Sequence, residues 1–172
     1  MKILWFLLWS LLYGMAVFYI FKFLLPNILH FIRTRHIRKD AELWLMYITA
    51  TNAFLSLRDK FHKSPSYSAW VAAFTFAALE NCIEDNNIPR KKFSEVAIHL
   101  LDPFFKKRDR QKVIDYYIHG NTSSNFHKAV LRAKEYLLGK PGSDIVLNEL
   151  STTNLEIPGD TVNFKVRKSK NM

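Results

Sequence analysis

Two pairs of residues have the types and spacing for acid–base or metal chemistry. His99 and Asp102 lie three apart, and Asp115 and His119 lie four apart. On a helix those intervals put both members of a pair on one face, within reach of a shared proton or ion. A plainer reading stands beside each. An aspartate before Pro103 serves as a helix cap. Asp115 and His119 fit a surface pair, with the imidazole favourable at a helix C-terminus. The four are candidates for a metal or catalytic site, and none is assigned a catalytic role on spacing alone.

A second feature is the basic run from Lys106 to Lys112, which holds Lys106, Lys107, Arg108 and Arg110 and is flanked by Phe104, Phe105, Tyr116 and Tyr117. Basic groups interleaved with aromatics bind nucleic acid through phosphate contacts and stacking. The plainer reading is a solvated helix face whose aromatics belong to the core, with Asp109 diluting the charge. Phospholipid headgroups or an acidic protein surface suit the cations better than nucleic acid does. The lone Cys82 has Glu80, Glu84 and Asp85 as neighbours in sequence, and their charge would raise a thiol pKa, against a reactive thiolate. One cysteine also excludes an intrachain disulfide and any multi-thiolate zinc site. No Gly-x-Ser-x-Gly, Walker A, GxGxxG or HExxH pattern occurs, so no cofactor is expected.

The element that positions all of this is Ile3 to Leu25. From Ile3 to Phe21 there are 19 residues without a charge, which reach about 28 Å as a helix, close to a hydrocarbon core. Lys22 lies near the end, where its stem can carry the ammonium to the headgroups. Trp5, Trp9, Tyr13 and Tyr19 suit an interfacial belt, and Pro26 gives a kink or stop. The run is longer and bulkier than a signal-peptide core and lacks a small-residue cleavage site. Lys22, Arg33, Arg35, Arg38 and Lys39 follow the apolar run with no acid before Asp40. By the positive-inside trend the bulk of the chain lies in the cytoplasm, most simply inside a bacterial inner membrane. The neck, 26–39, is basic enough to lie against anionic lipid, with Arg33, Arg35, Arg38 and Lys39 as contacts.

The net charge of +10 is unevenly spread: residues 1–39 hold six of the 25 Lys and Arg and none of the 15 acids. The high isoelectric point is therefore largely an effect of the neck, and it is weak evidence for nucleic acid. After the neck, helical spacing predicts about five helices. The first begins at Ala41 behind Asp40, with Leu43, Met46, Tyr47, Ala50, Ala53 and Phe54 on its apolar face. The second starts near Ser64-Pro65 and runs to about Asp85. A third carries Phe93, Val96, Ala97 and Leu100; Asp102-Pro103 then restarts or kinks the chain, and a fourth helix stops at Gly120. The fifth runs from about Phe126 to Leu138, with Gly139 as its C-terminal cap. Residues 43–57 and 64–79 are free of charge, yet each is too short to span a bilayer, so a hairpin in a protein core is expected instead. In the tail, Leu155, Ile157, Val162, Phe164 and Val166 alternate with polar residues around Pro158-Gly159, as in a β-hairpin.

The expected architecture is mainly α. It comprises a transmembrane anchor (1–25), a basic neck (26–39), a helical cytoplasmic domain (40–139) and a tail (140–172) with hairpin character. The expected function is a single-pass, membrane-anchored interaction or assembly module of a membrane complex, such as a secretion, conjugation or envelope machine. Its partners would be the membrane and other proteins of that complex. The alternatives are a membrane-tethered enzyme on a lipid-linked or nucleotide substrate, using His99, Asp102, Asp115 and His119, and a membrane-bound nucleic-acid binder.

Overall fold

The computed structural model describes residues 2–61, 66–120 and 124–145 and the single positions 148, 155 and 157. Contacts divide the chain into two compact units, Met1–Asp40 and Ala41–Met172. The described residues are mainly helical and contain no strand.

The first unit is a helical rod. Helix α1 is Lys2–Tyr19, followed without a break by a π-helical turn, Ile20–Leu24, and by α2, Leu25–Arg33. The window Trp9–Arg33 is 25 residues long, has mean hydropathy 1.7 and is 0% buried by protein, so it is long and apolar enough to cross a membrane. Pro26 does not stop the helix, as its type alone suggested. A proline ring clashes with the carbonyl four residues back and offers no amide proton. Here the preceding turn widens instead, and the Leu25 N–H reaches five residues back to the Ile20 carbonyl. The apolar helix therefore runs on through the first part of the neck. Its end comes at Thr34, whose N–H and hydroxyl both donate to the His30 carbonyl, at 3.0 and 2.9 Å. A short helix α3, Arg35–Lys39, completes the unit.

Five helices are delimited among the described residues of the second unit: α4 (Ala41–Phe61), α5 (Tyr67–Asn86), α6 (Lys92–Leu100), α7 (Lys107–His119) and α8 (Asn125–Leu137). The organising element is α5. It buries 14 of its 20 residues, including every one from Ala69 to Glu80. A helix apolar on all sides must be covered on all sides, and α4, α6 and α8 pack around it. Its alanines at 69, 72, 73, 77 and 78 let neighbouring backbones approach, while Trp70, Phe74 and Phe76 fill the space between helices. The charge-free stretch 64–79 is thus enclosed by protein from Ala69 onward, which accounts for its composition without a bilayer.

The ends of the helices follow local chemistry. Asn87 takes a left-handed conformation, φ 52°, and closes α5, a position that asparagine tolerates better than most residues. Ser124 caps α8 by accepting the His127 N–H at 3.2 Å. At the other end of α8, Gly139 has φ 67°. Its N–H meets the Tyr136 carbonyl at 2.9 Å and the Lys140 N–H meets Glu135 at 3.1 Å, which makes Gly139 the C-terminal cap expected from its position. α7 ends at Gly120, where the backbone turns extended (ψ 177°), and the position requires glycine because a Cβ there would lie 2.0 Å from the Tyr116 carbonyl oxygen.

One expectation changes here. Residues 101–105 form successive turns, so Asp102-Pro103 does not start a helix and α7 begins only at Lys107. The aromatic pair explains the delay. Phe105 is buried, and Phe104 sets its edge against Phe54 of α4 and Tyr67 of α5, at 5.2 and 6.1 Å between centroids. Most of the hairpin proposed for the tail lies outside the described residues. Leu155 and Ile157 are described and buried, and the Leu155 N–H donates to the Ser66 hydroxyl at 2.8 Å. That bond returns the chain to the start of α5.

Candidate functional site

The four residues with acid–base spacing are not assembled into a metal centre: among the described residues no three His, Cys, Asp or Glu side chains form a group that could hold an ion. Each lies in its own setting. Asp102 forms an ion pair with Arg110, Oδ1 to Nη1 at 2.7 Å. Asp115 accepts from Gln111 Nε2 at 2.9 Å on the exposed face of α7. His119 is exposed in the last turn of α7. His99 is half-buried near the end of α6.

The basic run divides by exposure. Lys106, Lys107 and Arg108 are exposed around the first turn of α7. Arg110 turns inward, only 14% of its side chain remaining exposed; besides Asp102 it donates to the Ile98 carbonyl at 3.2 Å. It therefore ties α7 to α6 and the intervening turn, and is withdrawn from the anion surface on which its sequence position placed it. The neighbouring aromatics are also turned inward. Phe105 is buried, and Tyr117 packs on Phe76 and Phe93 at 4.8 and 5.5 Å. Phe104 and Tyr116 are half-buried. In the neck, Arg33, Arg35, Arg38 and Lys39 are all exposed, and the Arg38 guanidinium sits 4.3 Å over the Phe31 ring.

Cys82 is buried, and burial pushes its thiol up; a hydrogen bond with Thr49 opposes this, the charge of Asp85 adds to it, and a weaker hydrogen bond from Asn86 opposes it. It is a core thiol rather than a nucleophile.

The densest polar arrangement is one that spacing did not reveal. Glu80, 8% exposed in the middle of α5, receives the Arg90 guanidinium at 2.9 Å and the Tyr117 hydroxyl at 3.2 Å. Burial, followed by the charge of Glu80, holds the Tyr117 phenol well above its ordinary range. Beside it His127 bridges two helices. Its Nε2 lies 2.9 Å from the Tyr117 carbonyl, which can only accept, so that nitrogen carries the proton. Its Nδ1 lies 2.9 Å from the Ser124 hydroxyl, and its ring stacks on Tyr117 at 5.0 Å and 21°. Together with Phe76, Phe93 and Phe126 these groups lock α5, α6, α7 and α8. In sequence Glu80 is one of three acids in α5, with Glu84 and Asp85, and its partners lie 10 and 37 residues away, beyond any local pattern. The arrangement is saturated with internal bonds, and its chemistry is that of a structural knot.

Comparison with family models, with curated proteins and with solved structures gives no match to the chain.

Proposed function

We propose that the chain is a single-pass, membrane-anchored interaction module, with the helical unit held at the cytoplasmic surface as part of a membrane complex. The observation that carries this reading is the helix Trp9–Arg33: 25 residues, mean hydropathy 1.7 and 0% buried. An apolar surface of that length, left uncovered by its own protein, calls for lipid. The exposed Arg33, Arg35, Arg38 and Lys39 at its C-terminal end supply the positive flank that favours the cytoplasmic side, and they suit anionic headgroups. Lys106, Lys107 and Arg108 add an exposed basic edge on α7 for an anionic surface. The chain's own contribution is tethering: confinement to a membrane raises the local concentration of the helical unit at its partners.

The test is a mild-detergent pull-down of the full-length chain with identification of what accompanies it. A stoichiometric set of membrane-complex subunits is expected. A chain that comes alone, and that binds DNA or RNA with an affinity falling steeply with salt, would overturn the reading.

A further inference from the structure

One charge interrupts the apolar rod. Lys22 is the only Asp, Glu, Lys or Arg from Ile3 to Ile32. With a helix stop at Pro26 its ammonium would lie at the headgroups. The helix does not stop there: it passes Pro26 through the π-helical turn Ile20–Leu24 and continues to Arg33. Lys22 lies inside that turn, thirteen residues after Trp9 and eleven before Arg33, near the middle of the apolar span. Eleven residues of helix cover about 16 Å, more than a four-carbon stem can bridge to the headgroups. On the anchor reading, on which this inference rests, the ammonium is therefore held within the hydrocarbon. We propose that Lys22 docks a membrane-spanning helix of a partner protein that carries an aspartate or glutamate at the same depth.

Three observations select an acidic helix as the occupant. The first is the missing counter-charge. The one acid of Met1–Asp40 is Asp40 itself, eighteen residues further along. Every other acid belongs to the helical unit, which the anchor reading keeps in water. The second is how the ammonium is held. Its Nζ lies 5.1 Å from the Phe18 ring centroid and 5.5 Å from that of Phe23. The rings attract the cation but replace only part of its lost hydration, and ionised groups within a bilayer characteristically pair with one another. The third is the surface around it. Leu11, Met15 and Phe18 are 62%, 63% and 59% exposed, and the exposed Lys22 continues them at intervals of four, three and four residues. That is a single stripe along which a second helix can pack. A second copy of this chain is not that helix, because in the same orientation it would set lysine against lysine at one depth. Lipid phosphates lie beyond the reach of the stem.

The experiment places the full-length chain in phosphatidylcholine vesicles with a membrane-spanning poly-leucine peptide that carries one aspartate at its centre. Association is read by energy transfer between labels on the two. The central-aspartate peptide should bind at least about tenfold more tightly than an all-leucine peptide. Lys22→Leu should abolish that preference, and Lys22→Arg should keep it. In a Cys82→Ser background, the thiol of Lys22→Cys should resist a water-soluble maleimide, while that of Arg33→Cys reacts. Equal binding of the two peptides overturns the proposal, as does a preference that survives Lys22→Leu. Equally tight binding of a peptide with its aspartate at one end, or ready labelling of Lys22→Cys, puts the ammonium at the headgroups and overturns it too. Failure of the anchor reads differently. In that case alkaline carbonate strips the chain from the vesicles and both readings fall, whereas a chain that floats with the lipid and shows no preference refutes the acidic partner alone.

Discussion

Glu80 sits inside the helical unit because two donors meet it there, one from Arg90 at the surface and one from the Tyr117 hydroxyl within. A buried carboxyl group without partners would be strongly unfavourable; with them it fixes which faces of α5 and α7 meet. The same burial raises the Tyr117 phenol above its reference value of 10.0. The folded state therefore favours the protonated phenol. Below pH about 10 both states are protonated and the contribution is complete; above it the unfolded chain releases the proton first, and stability falls as the pH rises. Cys82, also raised from its reference of 9.0, acts in the same direction. Denaturant midpoints should thus decline on the alkaline side, and Tyr117→Phe should flatten that decline while lowering stability near neutrality through the lost bond to Glu80. An unchanged alkaline slope in the variant would contradict this placement of Tyr117. Gly120 offers a second test. With a Cβ position 2.0 Å from the Tyr116 carbonyl oxygen, Gly120→Ala should destabilise by about 1–3 kcal/mol, read as a shifted urea midpoint with unchanged slope. Neither role was legible locally. Glu80 and Glu84 look alike in sequence, and only Glu80 lies opposite a tyrosine 37 residues away. Gly120 was legible as a helix stop, but not as a point of close backbone approach.

Helix α5 carries the fold at the scale of elements. Trp70, Phe74 and Phe76 are nearly inaccessible, and Phe76 touches the rings of Phe93, Tyr117 and Phe126 from three different helices. Phe76→Ala should therefore cost about 3–5 kcal/mol, enough to consume much of a small domain's stability; a loss below about 1 kcal/mol would mean that the cluster is not a core. The helices themselves were legible, because period, caps and breakers agree. Asp40 before α4, Asn87 after α5 and Gly139 after α8 all mark observed ends. Where the sequence misled, a tertiary contact or a relaxed turn prevailed over a local preference. Phe104 is drawn to Phe54 and Tyr67, which delays α7 past Pro103. Pro26 is absorbed by the π-helical turn at Ile20–Leu24. Arg110 reads as a member of a cationic run, yet pairs with Asp102 across a turn. The candidate site was the least legible part: His99, Asp102, Asp115 and His119 have helical spacing, but spacing within one helix says nothing about whether two helices bring their polar faces together.

Across the whole molecule the division of apolar residues is the informative feature. In Ala41–Met172 the large hydrophobes gather into a core around α5. In Met1–Asp40 Ile37 is buried, but Trp9, Tyr13, Phe18, Phe21 and Phe31 are each more than half exposed. Proteins do not leave such a surface to water, and a bilayer would cover it with no further partner. The central claim is therefore that the first unit is inserted in a membrane, and the direct measurement is an alkaline-carbonate wash of membranes bearing the full-length chain, followed by flotation on a density gradient. We expect the chain to float with the lipid after the wash. A chain recovered from the soluble fraction would contradict the account, and the exposed helix Trp9–Arg33 would then need a protein partner to cover it.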